Sequence, residues 1–443
     1  MAILLSQNPT SPNIANNNLI YTVTSSQVNQ PQFQYVCDVK DENDTLIQRI
    51  KQQPNPTGYG VFDIGQICTF NLGPTDNVWT VTGFTSNTAS GADFKVFFGE
   101  EYSVSVSGSS SIYNGVTSTP NLQPAVTEGE YLFNLHGVLD PNDKVNWNWD
   151  SSSFAFNELI NDETFNRQVG LTDFPTTQSV RSTDYHTLSF LNGNLFGTTS
   201  SLNTQDIYVA RVTQYNSAGS QLSQEDFYNL VARPTTGSTW NDIYDTQDSS
   251  TRLVHLGIGP QNINASSSTA YYHVKVFEQA TDTTINENGV YADYRFDIVD
   301  ASCSYPGVRF AWKNKYGVWD YYNFTLAEST TSNINRSSYE QTFTPFNTTT
   351  TTAAYNKSRR GKTNFLNTID RNRTAESDWL TQTYADLLVE MFYSADVYIQ
   401  SGSVFLPIEI TNTSITEKTN PRTQKLYKLT AEYRYANDTQ HRL

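Results

Sequence analysis

Near the start of the chain stand LIYTVT (Leu19–Thr24) and FQYVCDV (Phe33–Val39), two short stretches in which apolar and polar side chains alternate. Such alternation places every second side chain on one face of a strand, so both stretches are predicted to be half-buried β-strands. The turn sequence DENDT (Asp41–Thr45) follows, and LIQRI (Leu46–Ile50) is predicted to return as the second arm of a hairpin. Short strands at this spacing indicate a β-sandwich module of immunoglobulin-like or related type.

The composition extends this prediction to the whole chain. The 443 residues include 27 Tyr, 24 Phe and 7 Trp but only 28 Lys plus Arg and 5 His. Aromatic residues and Thr fit the pleated surface of a sheet, and the abundant Asn, Ser and Gly fit the turns between strands. The chain is therefore predicted to be mainly β, a multidomain β-sandwich protein with a C-terminal β region that contains one amphipathic helix.

Three domains are predicted from the length and from a Ser/Thr/Gly-rich stretch at residues 108–120. They are an N-terminal β-sandwich domain at 1–110, a second β domain at 111–290 and a C-terminal β domain at 291–443. The helix is predicted at about 377–393, because apolar residues recur there at helical spacing and Ser377 is a plausible N-cap. A short helix is also predicted near Phe154–Phe165. Further strands are predicted at Ile67–Leu72, Val78–Thr82 and Leu426–Ala436.

Charge and apolar patterning exclude several classes of partner. The formal net charge of −16 argues against nucleic acid, which requires clustered cations. The one basic cluster, Lys357 to Lys362, is interpreted as a solvated loop. No apolar run approaches the length that spans a bilayer, and no signal peptide is recognisable, so we expect no membrane insertion and folding in a reducing cytoplasm. Cys37, Cys68 and Cys303 are predicted to be buried free thiols.

No catalytic, cofactor-binding or metal-binding motif is recognisable, and the five His residues share no metal-ligand spacing. We therefore expect no catalytic residue, no cofactor, no metal and no enzymatic activity. One alternative remains open. Asp293, Asp297 and Asp300, beside Tyr294 and Phe296, are residue types that a sugar cleft uses, although the solvent face of a strand and its turn is the favoured interpretation.

The candidate contact surface is aromatic. It combines a predicted hairpin, VRFAW (Val308–Trp312) to VWDYYNF (Val318–Phe324), with the strand Leu426–Ala436, which is predicted to be an edge strand. Its residues are Trp312, Tyr316, Trp319, Tyr321, Tyr322, Phe324, Tyr427, Tyr433 and Tyr435. The other interpretation of such a hairpin is core packing through cross-strand aromatic pairs.

Several stretches resemble structural virion proteins of tailed bacteriophages, as found in marine and gut phages of Bacteroidetes hosts. These stretches are SPNIANNNLIYTVTSS (residues 11–26), FQYVCDVKD (33–41), LIQRIKQQPNPTGYGVFDIG (46–65), YHTLSFLNG (185–193), FAWKNKYGVWDYYNF (310–324), RSSYE (336–340), LPIEITNTS (406–414) and RTQKLYKLTAEYRYAND (422–438). The resemblance touches all three predicted domains and carries over no catalytic residue.

The resemblance implies a component of the virion, of tail or baseplate type, that acts as an adaptor or fibre through protein–protein assembly. Its expected partners are other virion proteins and copies of itself, in a homo-oligomer. Two alternatives stay open: a capsid decoration or head-fibre protein, and a carbohydrate-binding adhesin or depolymerase whose partner is a host surface glycan.

Overall fold

The computed structural model describes residues 3–9, 13–73, 78–86, 89–102, 123–124, 132–138, 161–162, 167–168, 170–191, 207–231, 252–281, 284–300, 307–340, 346–347, 349–353, 361–415, 427–437 and 440–442. The chain is mainly β, as predicted, with two helices in the described ranges. It divides into two compact units. The first contains residues 1–300, 311–321 and 394–396, and the second contains residues 301–310, 322–393 and 397–443.

In its described residues, the first unit holds helix α1 (Gly65–Asn71) and nineteen complete strands. The strands are β1 (Ile3–Gln7), β2 (Asn13–Ile14), β3 (Ile20–Ser25), β4 (Gln34–Lys40), β5 (Leu46–Gln52), β6 (Gly60–Asp63), β7 (Gly83–Ser86), β8 (Gly91–Glu101), β9 (Gln123–Pro124), β10 (Leu132–Leu135), β11 (Asn161–Asp162), β12 (Arg167–Gln168), β13 (Thr177–Val180), β14 (Thr187–Leu191), β15 (Ile207–Tyr215), β16 (Gln221–Tyr228), β17 (Leu253–Gly257), β18 (Tyr271–Thr281) and β19 (Thr284–Ile298).

An N-terminal sandwich is formed from two of its sheets. One has the order β1-β3-β6, and the other has the order β2-β10-β8-β4-β5, with β9 added beside β8. Side chains from both sheets, among them Tyr21, Tyr35 and Phe98, meet in one buried cluster. The predicted strands at 19–24 and 33–39 and the hairpin to 46–50 are confirmed. In the first two strands, alternate side chains lie in this core, as predicted.

A second sandwich packs the sheet β13-β19-β18-β15-β16 against the sheet β14-β17-β7. Its core includes Phe190, Tyr272 and Phe296, all with no exposed surface. Strand β7 pairs with β17, and β8 of the N-terminal sandwich pairs with β10. Strands on either side of residue 110 therefore share sheets, and both sandwiches lie in the same unit.

Residues 67–72 were predicted as a strand, and this prediction is wrong because residues 67–71 lie in α1 and Leu72 follows its last residue. The side chain of Asp63 accepts a hydrogen bond from the N–H of Gly65 at 3.0 Å, which satisfies one free donor at the start of the helix. Ile64, Cys68 and Leu72 are buried at intervals of four residues, whereas Phe70 is 85% exposed. That spacing is helical, and it was the signal that the sequence interpretation missed.

The predicted strand at 78–82 is also absent; these residues form a turn and irregular backbone. The amide of Asn262 donates to the carbonyl oxygens of Trp79 and Val81, at 2.8 and 2.6 Å. A side chain more than 180 residues away thus takes the acceptors that a strand would have offered to a neighbouring strand.

The second unit holds helix α2 (Gln382–Tyr393) and most of an eight-stranded sheet. The strand order of this sheet is β21-β20-β26-β27-β28-β25-β22, with β29 beside β25. Residues of β20 and β21 are divided between the two units. The bounds are β20 (Val308–Lys313), β21 (Trp319–Phe324), β22 (Glu328–Glu340), β23 (Phe346–Asn347), β24 (Thr352–Ala353), β25 (Lys362–Glu376), β26 (Val397–Ser401), β27 (Val404–Ile410), β28 (Thr430–Tyr435) and β29 (Gln440–Arg442).

The predicted helix exists but starts five residues later than expected. Ser377 is not its N-cap, because Ser377 and Leu429 exchange hydrogen bonds, at 2.9 Å each, between extended segments. Leu380 likewise exchanges backbone hydrogen bonds with Tyr427, at 2.8 and 2.9 Å. Tertiary pairing therefore holds residues 377–380 in extended form even though their apolar spacing continues the helical pattern.

Residues Leu426–Ala436 were predicted to be an edge strand, and this prediction is wrong. Strand β28 lies inside its sheet, between β27 and β25.

Cys37 and Cys68 are buried free thiols, as expected, and burial raises the pKa of both. No described helix is long and apolar enough to span a membrane. Cys303, the predicted boundary at 108–120, most of the basic cluster and nearly all of the predicted helix near 154–165 lie outside the described residues.

Candidate functional site

The structure places seven of the nine candidate contact residues inside the protein. They are Trp312, Tyr316, Trp319, Tyr321, Phe324, Tyr427 and Tyr433, each at most 7% exposed. Tyr322 and Tyr435 are half-buried. For these seven residues the prediction of a contact surface needs correction, because their rings are buried in the protein's own core. The alternative interpretation, packing through aromatic pairs, describes them.

Within the first unit, these rings pack against the unit's own aromatic side chains. The ring centroids of Trp319 and Trp79 lie 5.1 Å apart, and those of Trp312 and Phe174 lie 5.9 Å apart. Tyr321 contacts His186, and its hydroxyl lies 2.7 Å from that of Thr187. Buried aromatic pairs of this kind stabilise a fold beyond the area that they bury.

The turn between β20 and β21 is held by the side chain of Asn314. Its oxygen accepts hydrogen bonds from the N–H groups of Tyr316 and Val318, and its amide donates to the carbonyl of Leu171 at 2.8 Å. Gly317 has a φ of +80°, and a Cβ there would lie 2.3 Å from the carbonyl oxygen of His136. The turn therefore requires glycine for both conformation and space.

Asp320 is a buried carboxyl below this turn. Its oxygens accept hydrogen bonds from the hydroxyl of Thr172 at 2.6 Å and from the amide of Asn314 at 2.9 Å. Burial raises the pKa of Asp320 to about 7, because removal from water penalises the charged form more than these two donors favour it. The group is structural, since its partners are neutral side chains within the fold.

In the second unit, the aromatic residues pack around Phe310. Its ring contacts those of Phe324 and Tyr433, at centroid distances of 4.8 and 5.6 Å. The hydroxyl of Tyr433 donates to Glu328 at 2.7 Å, and the guanidinium of Arg373 also contacts Glu328, at 3.2 Å. These contacts fix the start of β22 and the end of β25 to the core.

From that base, β22 and β25 run together as a long antiparallel ribbon, which we call the β22–β25 ribbon. Its pairing extends from Glu328 opposite Ala375 to Glu340 opposite Lys362. All thirteen residues of β22 are exposed, on both faces. Strand β22 is also the last strand of its sheet, and no described strand pairs with its outer edge. It therefore presents a row of backbone donors and acceptors to solvent.

The chemistry of β22 does little to block this edge. Proteins commonly protect edge strands with proline, lysine, bulges or short length. Strand β22 is long, contains neither proline nor lysine, and pairs regularly with β25 up to the irregularity at Ser337/Ser338. The sequence interpretation missed this site, because its residues, ESTTSNINRSSYE, lack an apolar alternation. A strand rich in Thr, Ser and Asn without a buried face was the available signal.

A second candidate surface lies on the first unit, on the solvent side of β15, β18 and β19, and most of its side chains are half-buried. We call it the tyrosine face. The rings of Tyr215 and Tyr271 stack at a centroid distance of 5.0 Å, and the guanidinium of Arg295 lies 4.2 Å from the Tyr271 ring. The strand order places Tyr271 between the other two. The ring of His273 makes a T-shaped contact with each tyrosine ring, and its Nδ1 atom lies 3.3 Å from Asp293.

The carboxylates considered for a sugar cleft are distributed around this surface. Asp293 and Asp297 are on the solvent side of β19, whereas Tyr294 and Phe296 are buried on its other side. Asp300 lies beyond the strand and accepts hydrogen bonds from Ser182. For Asp293 and Asp297, the favoured interpretation as residues on the solvent face of a strand is confirmed. Each forms an ion pair, Asp293 with Lys275 and Asp297 with Arg295.

One buried pair has the residue types of a nucleophile and its base. The ammonium of Lys313 donates to the hydroxyl of Ser90 at 2.9 Å. Ser90 is only 1% exposed, so a substrate has no direct access to its hydroxyl. Burial, with Lys313 nearby, also lowers the pKa of His136. We interpret the group as polar packing inside the first unit.

The described residues contain no group of three His, Cys, Asp or Glu side chains that could hold a metal ion. Two features that solvent reaches are the β22–β25 ribbon on the second unit and the tyrosine face on the first. Both have the chemistry of binding surfaces: unpaired backbone groups in one, aromatic rings with charged partners in the other. No protein-family model matches the chain, and no curated protein matches it.

Proposed function

We propose that this protein is a structural virion protein of a tailed bacteriophage, a tail or baseplate component of adaptor or fibre type that acts through protein–protein assembly. The observation that carries assembly is the open edge of β22, exposed along all thirteen residues. An edge of that length is a hazard for a protein that remains alone, since any extended chain can pair with it. In an assembly the same edge is an interface.

Placement in a virion rests on the resemblance of the sequence to phage structural proteins. The mainly β architecture fits that placement, because stacked sandwiches offer rigid surfaces and sheet edges to symmetric neighbours. The buried free thiols of Cys37 and Cys68 also fit folding in a reducing cytoplasm before assembly.

Mass spectrometry of purified particles of the encoding phage tests this proposal. The particles are separated into heads and tails before digestion. We expect peptides of the chain in the tail fraction, at a low copy number that matches the symmetry of the tail. Recovery with heads instead would support a capsid decoration or head-fibre protein. Absence from both fractions would contradict a virion role.

A second candidate function, binding of a host surface glycan, is favoured by the tyrosine face. Sugars pack against aromatic rings and hydrogen-bond to charged side chains, and Tyr215, Tyr271, Arg295 and Asp293 place both kinds of group on one sheet surface. Trp312 and Trp319 cannot serve in this way, because they are buried.

We expect Tyr215→Ala to abolish any glycan binding of the full chain on a glycan array, because it removes one ring of the stack. Phe70→Ala, which removes an exposed ring on α1 of the same unit, is the matched control and should bind as the wild type does. If the wild-type chain retains no glycan from the host surface, the second candidate is excluded.

A further inference from the structure

We propose that β22 pairs with β22 of a second copy of this chain, in antiparallel orientation, with Ser332 on the two-fold axis. The inference rests on the proposed assembly function and identifies its partner. A two-fold interface uses the same surface on both copies, so the strand must be complementary to itself. The charges of the ribbon and their positions along β22 meet that requirement.

The ribbon is electrically neutral within a strongly acidic chain. Its cations are Arg336, Lys362, Arg371 and Arg373, and its anions are Glu328, Glu340, Asp370 and Glu376. The whole net charge of −16 therefore lies on other residues. Two copies that approach through the ribbon therefore bring together surfaces without net charge, whereas like net charges oppose association.

The positions of charge along β22 select one register. With Ser332 opposite its own counterpart, residues 328–336 of the two copies overlap, and Arg336 of each copy lies opposite Glu328 of the other. Directly opposite residues in an antiparallel pair have Cα atoms about 4.5–5.5 Å apart, within reach of an ion pair. Arg336 has no ion pair in the described part of the chain, and the Oε1 atom of Glu328 takes both of that residue's present contacts.

Other registers are poorer. Placing Ile334 on the axis overlaps the whole strand but sets Glu328 opposite Glu340 at both ends, and like charges in that position destabilise a pair. Placing Ser338 on the axis also sets Arg336 opposite an acid, Glu340, but it overlaps only residues 336–340 of β22. Of these three registers, only the one with Ser332 on the axis combines ion pairs at both ends with an overlap of nine residues, which is about 30 Å of strand.

Disulfide trapping of the full chain tests the register. Under mild oxidation we expect Ser332→Cys to form a covalent dimer, because opposite Cα atoms lie within disulfide range. Ser338→Cys is the matched control and should stay uncrosslinked. Crosslinking through Cys at 338 and not at 332 would overturn the inference. So would concentration-dependent association, seen by sedimentation equilibrium, in which neither variant crosslinks.

A charge variant tests the same pairing without new thiols. Arg336→Glu places acid opposite Glu328, and we expect it to weaken self-association by about tenfold or more. Lys362→Glu makes the same change of charge on β25, away from the outer edge, and should associate as the wild type does. Equal weakening by both variants would overturn the inference.

The outcomes separate this inference from the proposed function. A chain that stays monomeric in solution at all concentrations, yet is recovered with tails, overturns pairing with a second copy and leaves the assembly role standing. A chain that dimerises through Cys at 332 but is absent from virions supports the pairing and contradicts the virion role.

Discussion

Replacing Asp93 by alanine is expected to lower the free energy of unfolding by about 3–5 kcal/mol, because it leaves the guanidinium of Arg252 buried without this carboxylate. Asp93 and Arg252 are joined at 2.8 Å, and their side chains are 0% and 10% exposed. Denaturant titration followed by tryptophan fluorescence measures the loss. The contact links β8 to the residue that precedes β17.

Two variants make this measurement specific. Asp297→Ala removes the carboxylate of an ion pair whose side chains are 34–43% exposed and should change the free energy by at most about 1 kcal/mol. The double variant Asp93→Leu with Arg252→Met should recover most of the lost stability, since an apolar pair needs no compensation for buried charge. If Asp93→Ala costs no more than Asp297→Ala, the buried pair is not the strong constraint that its geometry indicates.

Asp320→Asn is expected to stabilise the protein at pH 8 and to remove a pH dependence that the wild type has. The pKa of Asp320 is raised from 3.8 to about 7 in the folded protein. When folding raises the pKa of a carboxyl, that group stabilises the fold in full at any pH below its pKa in the unfolded chain. For Asp320 this stabilisation is lost as the pH rises from about 4 to about 7. The shift corresponds to about 4 kcal/mol as an upper figure.

The asparagine variant suits the site because it resembles the protonated acid. Its amide can donate to the hydroxyl of Thr172, and its oxygen can accept from Asn314 as the acid does now. Unfolding free energies at pH 4, 6 and 8 provide the test, with Asp293→Asn on the exposed face of β19 as the control that leaves Asp320 intact. An identical pH dependence in the wild type and in Asp320→Asn would contradict the expectation.

Local pattern predicted much of the fold. The strands at 19–24 and 33–39 and the hairpin of β20 and β21 were found because short apolar and aromatic stretches between turn sequences indicate strands. The interpretation of local pattern failed at α1, where apolar residues at every fourth position were interpreted as part of a strand. It also failed at residues 78–82, where the side chain of Asn262 pairs with the backbone.

The candidate site was predicted less well than the fold. Sequence identified the aromatic hairpin as special but could not say whether its rings face a partner or the protein's own core. The open edge was not predicted, since Ser, Thr and Asn in β22 have the composition of a loop. Strand order is what makes β22 an edge and β28 an interior strand, and no local pattern records strand order.

By itself, the sequence determined the class of this protein: mainly β, rich in aromatic cores, with free thiols and a strongly acidic surface. Those properties depend on composition and on neighbours a few residues apart. Only the tertiary structure decided which surfaces remain open, because that depends on contacts between distant residues. Asp320 meets Thr172 across 148 residues, and β7 meets β17 across a similar span. Such contacts decide which aromatic rings become core and leave β22 as the exposed edge.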